Sequence, residues 1–208
     1  MQSRERRQVK TEIRFAGVGG QGNILAGEWL ALAAHNMGMQ AVQSPTYTAQ
    51  VRGGPTSVDV LIDDHEIVFP RLVAIDFFCC LAQEGWNVFS RKLKPDSTVV
   101  IAPDLVRRVG EGPQMIYPVP IITITRQLIG RMVYTSAVAL GSCCCLMPQL
   151  IPRDVMIHTM EENAPAGTVE NNLKAFEAGW EATAKTQPRP RNDIAREYEE
   201  ALKQESHA

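Results

Sequence analysis

One segment near the start of the chain, IRFAGVGGQGNILAGEWLALAA, constrains the fold more than any other. A strand-like run precedes four closely spaced glycines, Gly17, Gly19, Gly20 and Gly22, and an apolar helical pattern follows them. Nucleotide-binding α/β domains begin in this order, because the free N–H groups and partial positive charge of a helix N-terminus attract phosphate. The segment therefore predicts the first strand–turn–helix unit of an α/β domain.

In the remainder of the chain, segments with the residue pattern of strands alternate with segments that have the pattern of helices. Strand-like segments occur at MQAVQSP, SVDVLIDD, VAIDFFCCLA and TVVIAPD, with a turn predicted at KPDS, and a long helical pattern runs from about Thr123 to Leu146. Strands that alternate with helices imply a mostly parallel sheet with helices on both faces. We therefore predict a doubly wound, three-layer, Rossmann-like α/β fold.

Length and charge limit the domain organisation and the partners. A chain of 208 residues suits one domain, and we expect a polar arm at 1–12, the α/β domain at 13–185 and a charged, helical tail at 186–208 that is solvated or docks on a partner. The net charge of -2 gives no reason to expect nucleic acid.

The first residues lack an apolar signal-peptide core, and the apolar runs are too short or too interrupted to cross a bilayer. We expect a cytoplasmic protein without membrane contact.

The cysteines and histidines do not form a recognisable catalytic or metal motif. Cys79 and Cys80 are neighbours, as are Cys143, Cys144 and Cys145, whereas cluster and metal sites favour spacings such as C-x₂-C. We interpret these cysteines as small buried hydrophobic residues. The four histidines are scattered, so we predict neither a metal site nor a catalytic residue within the chain.

The glycine turn satisfies G-x-G-x-x-G, but the rest of the dinucleotide-binding pattern is missing. Such sites use an acidic residue at the end of the second strand to hold the ribose hydroxyls. The sequence has no Asp or Glu between Glu28 and Asp59, and the first arginine after the turn is Arg52. The turn could approach another ligand or backbone closely, with Gln21 offering a donor and an acceptor, or its glycines could serve only tight packing of strand on helix.

A second polar and glycine-rich segment, SPTYTAQVRGG, follows the second predicted strand. Open α/β sheets place their sites at this carboxyl edge, and Arg52 could bind a carboxylate or phosphate, or pair locally with Asp59 or Asp63. We predict that the two segments form a site for a ligand or a neighbouring subunit, made of Gly17, Gly19, Gly20, Gln21, Gly22, Ser44, Tyr47, Gln50, Arg52, Gly53 and Gly54.

Taken with SVDVLIDD and LKPDSTVVIAPDLV, these two segments resemble the gamma subunits of the 2-oxoacid:ferredoxin (acceptor) oxidoreductases. The resemblance extends over residues 13–185, and the pairing of GGQG with a downstream RGG is its most specific part. Two positions depart from the family pattern: Asn23 stands where an apolar residue is usual, and Gln50 where many relatives have an acidic one.

The resemblance implies a multi-subunit enzyme of anaerobic metabolism that oxidatively decarboxylates a 2-oxoacid to its acyl-CoA. In this family thiamine diphosphate and Mg belong mainly to the alpha and beta subunits, and the [4Fe-4S] clusters to beta and a ferredoxin-like delta subunit. The gamma subunit carries neither, so this chain is expected to close the active-site entrance and help bind coenzyme A. Ferredoxin, or NAD through an added electron-transfer subunit, accepts the electrons.

The resemblance leaves the substrate open among 2-oxoglutarate, pyruvate, ketoisovalerate, indolepyruvate and phenylglyoxylate. The second loop is most similar to the 2-oxoglutarate type, but other subunits read the substrate. Two other classes of function stay open: a stand-alone dinucleotide-dependent oxidoreductase, and a non-catalytic α/β interaction module.

Overall fold

The structure, a computed structural model, describes residues 10–47 and 53–205 and contains one mixed sheet. Its strands are β1 (Thr11–Val18), β2 (Gln40–Tyr47), β3 (Pro55–Asp63), β4 (Ile75–Cys80), β5 (Leu93–Ile101), β6 (Met115–Pro118) and β7 (Arg189–Pro190). The helices are α1 (Asn23–Asn36), α2 (Gln83–Phe89), α3 (Ile121–Ile124), α4 (Thr135–Leu146), α5 (Arg153–Asn163), α6 (Val169–Lys185) and α7 (Arg191–Glu205).

The strands lie in the order β2-β3-β1-β4-β5-β6-β7. β1, β4, β5 and β6 are mutually parallel, and β3 pairs antiparallel with both β1 and β2. β2 therefore runs in the direction of β1, and only β3 and β7 run against the rest of the described sheet. The prediction of a mostly parallel α/β sheet is confirmed.

Helices cover both faces of the sheet, as predicted. The larger core lies beneath α1, α4, α5 and α6 and includes Phe15, Trp29 and Phe176. The smaller core lies on the other face, beneath α2 and α7, and includes Phe78 and Trp86. Successive residues of the central strands, such as Phe77 and Phe78, point into opposite cores, which explains why these strands read as continuous apolar runs.

Two local predictions are corrected by the structure. The helix predicted from Thr123 to Leu146 is interrupted, because Gly130 takes a left-handed φ of 76° after a π-helical turn at Thr125–Ile129. The turn predicted at KPDS lies within the bounds of β5, where the register against β4 jumps from Ile75↔Leu93 to Phe77↔Thr98. The extra residues form an irregularity of the strand instead of a loop before it.

Candidate functional site

The two glycine-rich segments meet at the carboxyl edge of the sheet. The turn after β1 and the loop before β3 are joined by a hydrogen bond from the Gly19 N–H to the Gly54 carbonyl, at 3.1 Å. Next to this bond, Gly17 pairs in register with Thr56 of β3. The fold therefore brings together the two sequence segments that predicted the site.

The glycines of the turn have different physical roles. A Cβ on Gly17 would lie 2.3 Å from Gln21 Oε1, and a Cβ on Gly85 of α2 would lie 2.7 Å from the Gly17 nitrogen, so these residues permit close packing. Gly20 has a φ of 93°, is exposed, and has nothing within 4 Å of where its Cβ would be. Packing thus explains Gly17, whereas Gly20 presents open backbone to the surroundings.

The side chain of Gln21 points into the protein and holds the turn in shape. Its Oε1 accepts the Val18 N–H at 2.9 Å, and its Nε2 donates to the Leu81 carbonyl, after β4, at 3.3 Å. Only 8% of the residue is exposed. Both ends of the amide are therefore used internally, and the contribution of Gln21 to the edge is to fix the backbone of Gly19 and Gly20.

An open cavity of about 350 Å³ lies at the N-terminus of α1, lined by residues of the glycine turn and by Asn23, Thr56 and Val133. α1 begins with Gly22 in a left-handed conformation, without a side-chain cap and without an acidic residue in its first turn. The first N–H groups of a helix have no intrahelical partner and carry partial positive charge. These N–H groups can bind an anionic or hydrogen-bond-accepting group, while Ile24, Leu25 and Val133 give the rest of the cavity an apolar lining.

Asn23 is the most unusual residue of this cavity. It is 2% exposed, its Nδ2 donates to Thr56 Oγ1 at 3.2 Å, and its Oδ1 has no hydrogen-bond partner among the described residues. Asn23 is one of the two departures from the family pattern, and the site predicted from the sequence does not include it. Val133 also escaped prediction, because it is distant in sequence and reaches the cavity only through the tertiary fold.

The other residues of the predicted site do not all lie in a loop after β2, as the sequence indicated. β2 continues two residues beyond Pro45, so Ser44 lies within the strand, paired with Asp59, instead of in a loop after it. Tyr47 is the last residue of β2 and pairs with Thr56. Gln50 and Arg52 lie outside the described residues. Gly53 is exposed, with a left-handed φ of 72°.

Asp59, one of the two local partners considered for Arg52, is engaged elsewhere. Arg14 forms a bidentate ion pair with it, with Nε–Oδ1 and Nη2–Oδ2 distances of 2.6 and 2.7 Å. Asp63 lies at the other end of β3, far from the glycine turn. The possible ligand atoms of Asp63, Asp64 and His65 lie within 4.8 Å of one another. Hydrogen bonds within that short segment account for this cluster, and we assign no metal to it.

The cysteines do not suit an iron–sulfur cluster. Cys79 and Cys80 lie on β4 and Cys143, Cys144 and Cys145 on α4, and the first four are buried. Burial raises the pKa of each of these four thiols, to about 12 for Cys80. Cys79 points into the larger core and its neighbour Cys80 into the smaller one, so adjacent thiols do not converge on one position as cluster ligands must.

The fold is a three-layer α/β domain with a glycine turn at the carboxyl ends of its parallel strands, and its sequence lacks the acidic residue that anchors the ribose in dinucleotide enzymes. The sequence profile of the pyruvate ferredoxin/flavodoxin oxidoreductase family matches residues 12–182. The chain therefore belongs to this family, as a gamma subunit of a 2-oxoacid:ferredoxin oxidoreductase complex.

Among its relatives, the KorC subunit of 2-oxoglutarate synthase from Methanocaldococcus jannaschii is 32% identical over 182 residues, which cover 86% of this chain and 97% of KorC. The gamma subunit of a keto/oxoacid ferredoxin oxidoreductase from Geobacter sulfurreducens superposes with a TM-score of 0.77 at 33% identity, over 86% of this chain and 99% of that one.

A larger protein contains the same fold. The 2-oxoglutarate:ferredoxin oxidoreductase of Magnetococcus marinus, solved with 2-oxoglutarate, coenzyme A and succinyl-CoA bound, matches 87% of this chain with a TM-score of 0.75 and 23% identity. The match covers 32% of that chain, so the fold there is one part of a longer polypeptide. In the part of our chain that the structure describes, no helix has the length and apolar character needed to cross a bilayer.

Proposed function

We propose that this chain closes the active-site entrance of a CoA-acylating 2-oxoacid oxidoreductase and helps bind coenzyme A along its glycine-rich edge. The alpha and beta subunits would hold thiamine diphosphate with Mg, and beta and a ferredoxin-like delta subunit the [4Fe-4S] clusters. When bound there, thiamine diphosphate supplies the nucleophile and electron sink for decarboxylation. In the complex the 2-oxoacid would release CO₂, its acyl group would form a thioester with coenzyme A with loss of the thiol proton, and the two electrons would pass to ferredoxin, or to NAD through an added subunit.

The observation that carries this proposal is the cavity at the N-terminus of α1, beside open glycine backbone. Coenzyme A has phosphate groups and amide carbonyls, which are the acceptors that free helix N–H groups bind. Gly19 and Gly20 allow a ligand to approach the backbone, and Gln21 holds that backbone in place. Arg52, which lies between β2 and β3 in the sequence, would add a cation that can pair with phosphate.

We further propose 2-oxoglutarate as the substrate and the cytoplasm as the compartment. KorC, to which this chain is similar over nearly the whole KorC length, is a subunit of 2-oxoglutarate synthase. A reducing cytoplasm agrees with five cysteines that are free thiols.

The test compares two glycines with similar backbone constraints. Gly20 and Gly38 have left-handed φ values of 93° and 78°, and at neither does any atom lie within 4 Å of the place a Cβ would take, but Gly38 lies at the far end of α1. Leucine at either position costs similar backbone strain, about 1–2 kcal/mol. We expect Gly20→Leu to raise the KM for coenzyme A in the assembled complex by roughly tenfold, the equivalent of about 1.4 kcal/mol, and Gly38→Leu to leave it unchanged.

The alternative is that the same edge only contacts neighbouring subunits. In that case Gly20→Leu lowers the yield of the assembled complex, while the complex that does form has the wild-type KM for coenzyme A. A dinucleotide-dependent enzyme would instead be stabilised by NAD in a thermal-shift titration, because a ligand that binds only the folded state raises the melting temperature.

A further inference from the structure

The C-terminal segment of residues 189–205, which comprises β7 and α7 and is called the strap below, lies outside the family domain. The family match ends at residue 182, before β7 begins. The strap therefore lies beyond the residues that match the family.

The strap occupies a place that the sheet topology leaves empty. β5 and β6 are parallel neighbours, and a parallel connection must cross a face of the sheet, usually as an α-helix. Here the crossover, residues 102–114, contains no helix or strand. α7 lies on this face instead: Ala195 is 6% exposed within the smaller core, and Ile194 packs against that core.

Arg191 fixes the start of the strap to the crossover. Its guanidinium donates to the carbonyls of Val109 and Gly110 and to Gln114 Oε1, at distances between 2.6 and 3.0 Å, and stacks over Trp86 of α2 with 5.0 Å from Cζ to the ring centroid. Burial lowers the pKa of Arg191, but an arginine stays charged at neutral pH. The fit is specific, because the planar fork bonds several acceptors while its face covers an aromatic ring.

Further contacts extend the attachment on both sides. Asn192 Oδ1 accepts the Gly112 N–H at 2.8 Å, and Arg108 donates to the Tyr198 hydroxyl at 3.1 Å. β7 pairs with Met115 and Ile116 of β6, at the edge of the sheet. Pro190 in that position has no N–H to offer a further strand, a common device for ending a sheet.

We propose that the strap replaces the missing crossover helix and closes, within the same chain, a face and an edge that the family domain alone leaves uncovered, so that neither is used to assemble the complex. Without the strap, the crossover around Val106 and Val109 and the edge of β6 would be open to other chains. An uncovered strand edge and apolar face promote association between copies. This inference does not depend on the role proposed for the glycine edge.

The experiment uses hydrogen exchange and co-purification of the complex. We compare the wild-type chain with a chain ending at Thr186, with Arg191→Ala and with the control Arg196→Ala. Among the described residues, the guanidinium of Arg196 donates hydrogen bonds to Asn192 and Asp193 of α7 itself. We expect truncation and Arg191→Ala to speed amide exchange in residues 105–116 by roughly tenfold or more, because local opening becomes easier. Arg196→Ala should leave it unchanged, and the truncated chain should self-associate in sedimentation while still co-purifying with its partner subunits.

Two results would overturn the proposal. One is unchanged exchange of residues 105–116 in both Arg191→Ala and the truncated chain. The other is loss of the partner subunits from a variant whose β1–β4 amides stay as protected as in the wild type, which would make the strap a contact between subunits. If the truncated chain does not fold, Arg191→Ala decides between these outcomes by itself.

Discussion

The Gly19 N–H donates to the Gly54 carbonyl at 3.1 Å, and this bond ties the turn after β1 to the loop before β3. The two residues belong to separate motifs of the sequence, GGQG and RGG. Their pairing places both motifs beside the N-terminus of α1 and its cavity. The site proposed for coenzyme A lies along this edge.

Replacing Gln21 should loosen the glycine turn. Gln21→Ala leaves the Val18 N–H and the Leu81 carbonyl without their side-chain partner, and an unsatisfied buried group costs about 1–3 kcal/mol. Urea unfolding measures the loss of stability. Gln43→Ala, at an exposed position of β2, serves as the control and should change stability by less than about 0.5 kcal/mol. Equal effects of the two substitutions would show that Gln21 does not brace the turn.

The Arg14–Asp59 pair should contribute more than any surface pair. Its side chains are only 11% and 13% exposed, and Arg14 also donates to the Phe89 carbonyl at 3.0 Å. Arg14→Ala strands a mostly buried carboxylate, which costs about 3–5 kcal/mol. The exposed pair of Arg153 with Glu177 provides the comparison, and Arg153→Ala should cost about 1 kcal/mol or less. Similar losses in chemical denaturation would contradict this ranking.

Glu12 should make stability depend on acid pH. Burial by itself would raise the pKa of Glu12, but the hydrogen bonds from Lys10 and from the N–H groups of Ala74 and Val73 outweigh it and hold the pKa below the ordinary value of 4.5. A depressed pKa in the folded state stabilises the protein above the unfolded-state pKa, and this stabilisation disappears as the pH falls through the folded-state pKa.

Thermal unfolding between about pH 3 and pH 7 should therefore show Glu12→Gln to be destabilised near neutrality and to converge with the wild type in acid. A stability difference that stays constant over this range would mean that the charge of Glu12 has no role.

Adding a methyl group at Gly141 should separate two helices. An alanine Cβ there would lie 2.1 Å from the Phe176 carbonyl oxygen of α6, and one at Gly179 would lie 2.1 Å from the Val138 oxygen of α4. Helix propensity alone favours alanine over glycine by about 1 kcal/mol. We expect Gly141→Ala to lower the free energy of unfolding by about 1–3 kcal/mol through overpacking. A gain in stability would show that the helices separate without cost.

Patterns of neighbouring residues determined much of this protein. Strand and helix periodicity, with Gly17 to Gly22 between the first two elements, indicated the α/β class and the edge that carries the candidate site, because side-chain periodicity and glycine conformation are local properties. The sequence did not reveal the breaks in the helix predicted from Thr123 to Leu146, because a single glycine such as Gly130 in an apolar pattern does not indicate whether its φ will be positive.

Only the tertiary structure decided which residues share a surface. Val133 joins Asn23 and Thr56 around one cavity, and Arg191 reaches back to Trp86 and the crossover before β6. These contacts join segments that are distant in the sequence, and their geometry follows from strand order and helix packing instead of local preference. The sequence by itself thus determined the elements and the glycine edge. Packing decided which residues line the cavity at that edge and that the strap covers the face of the sheet beside α2.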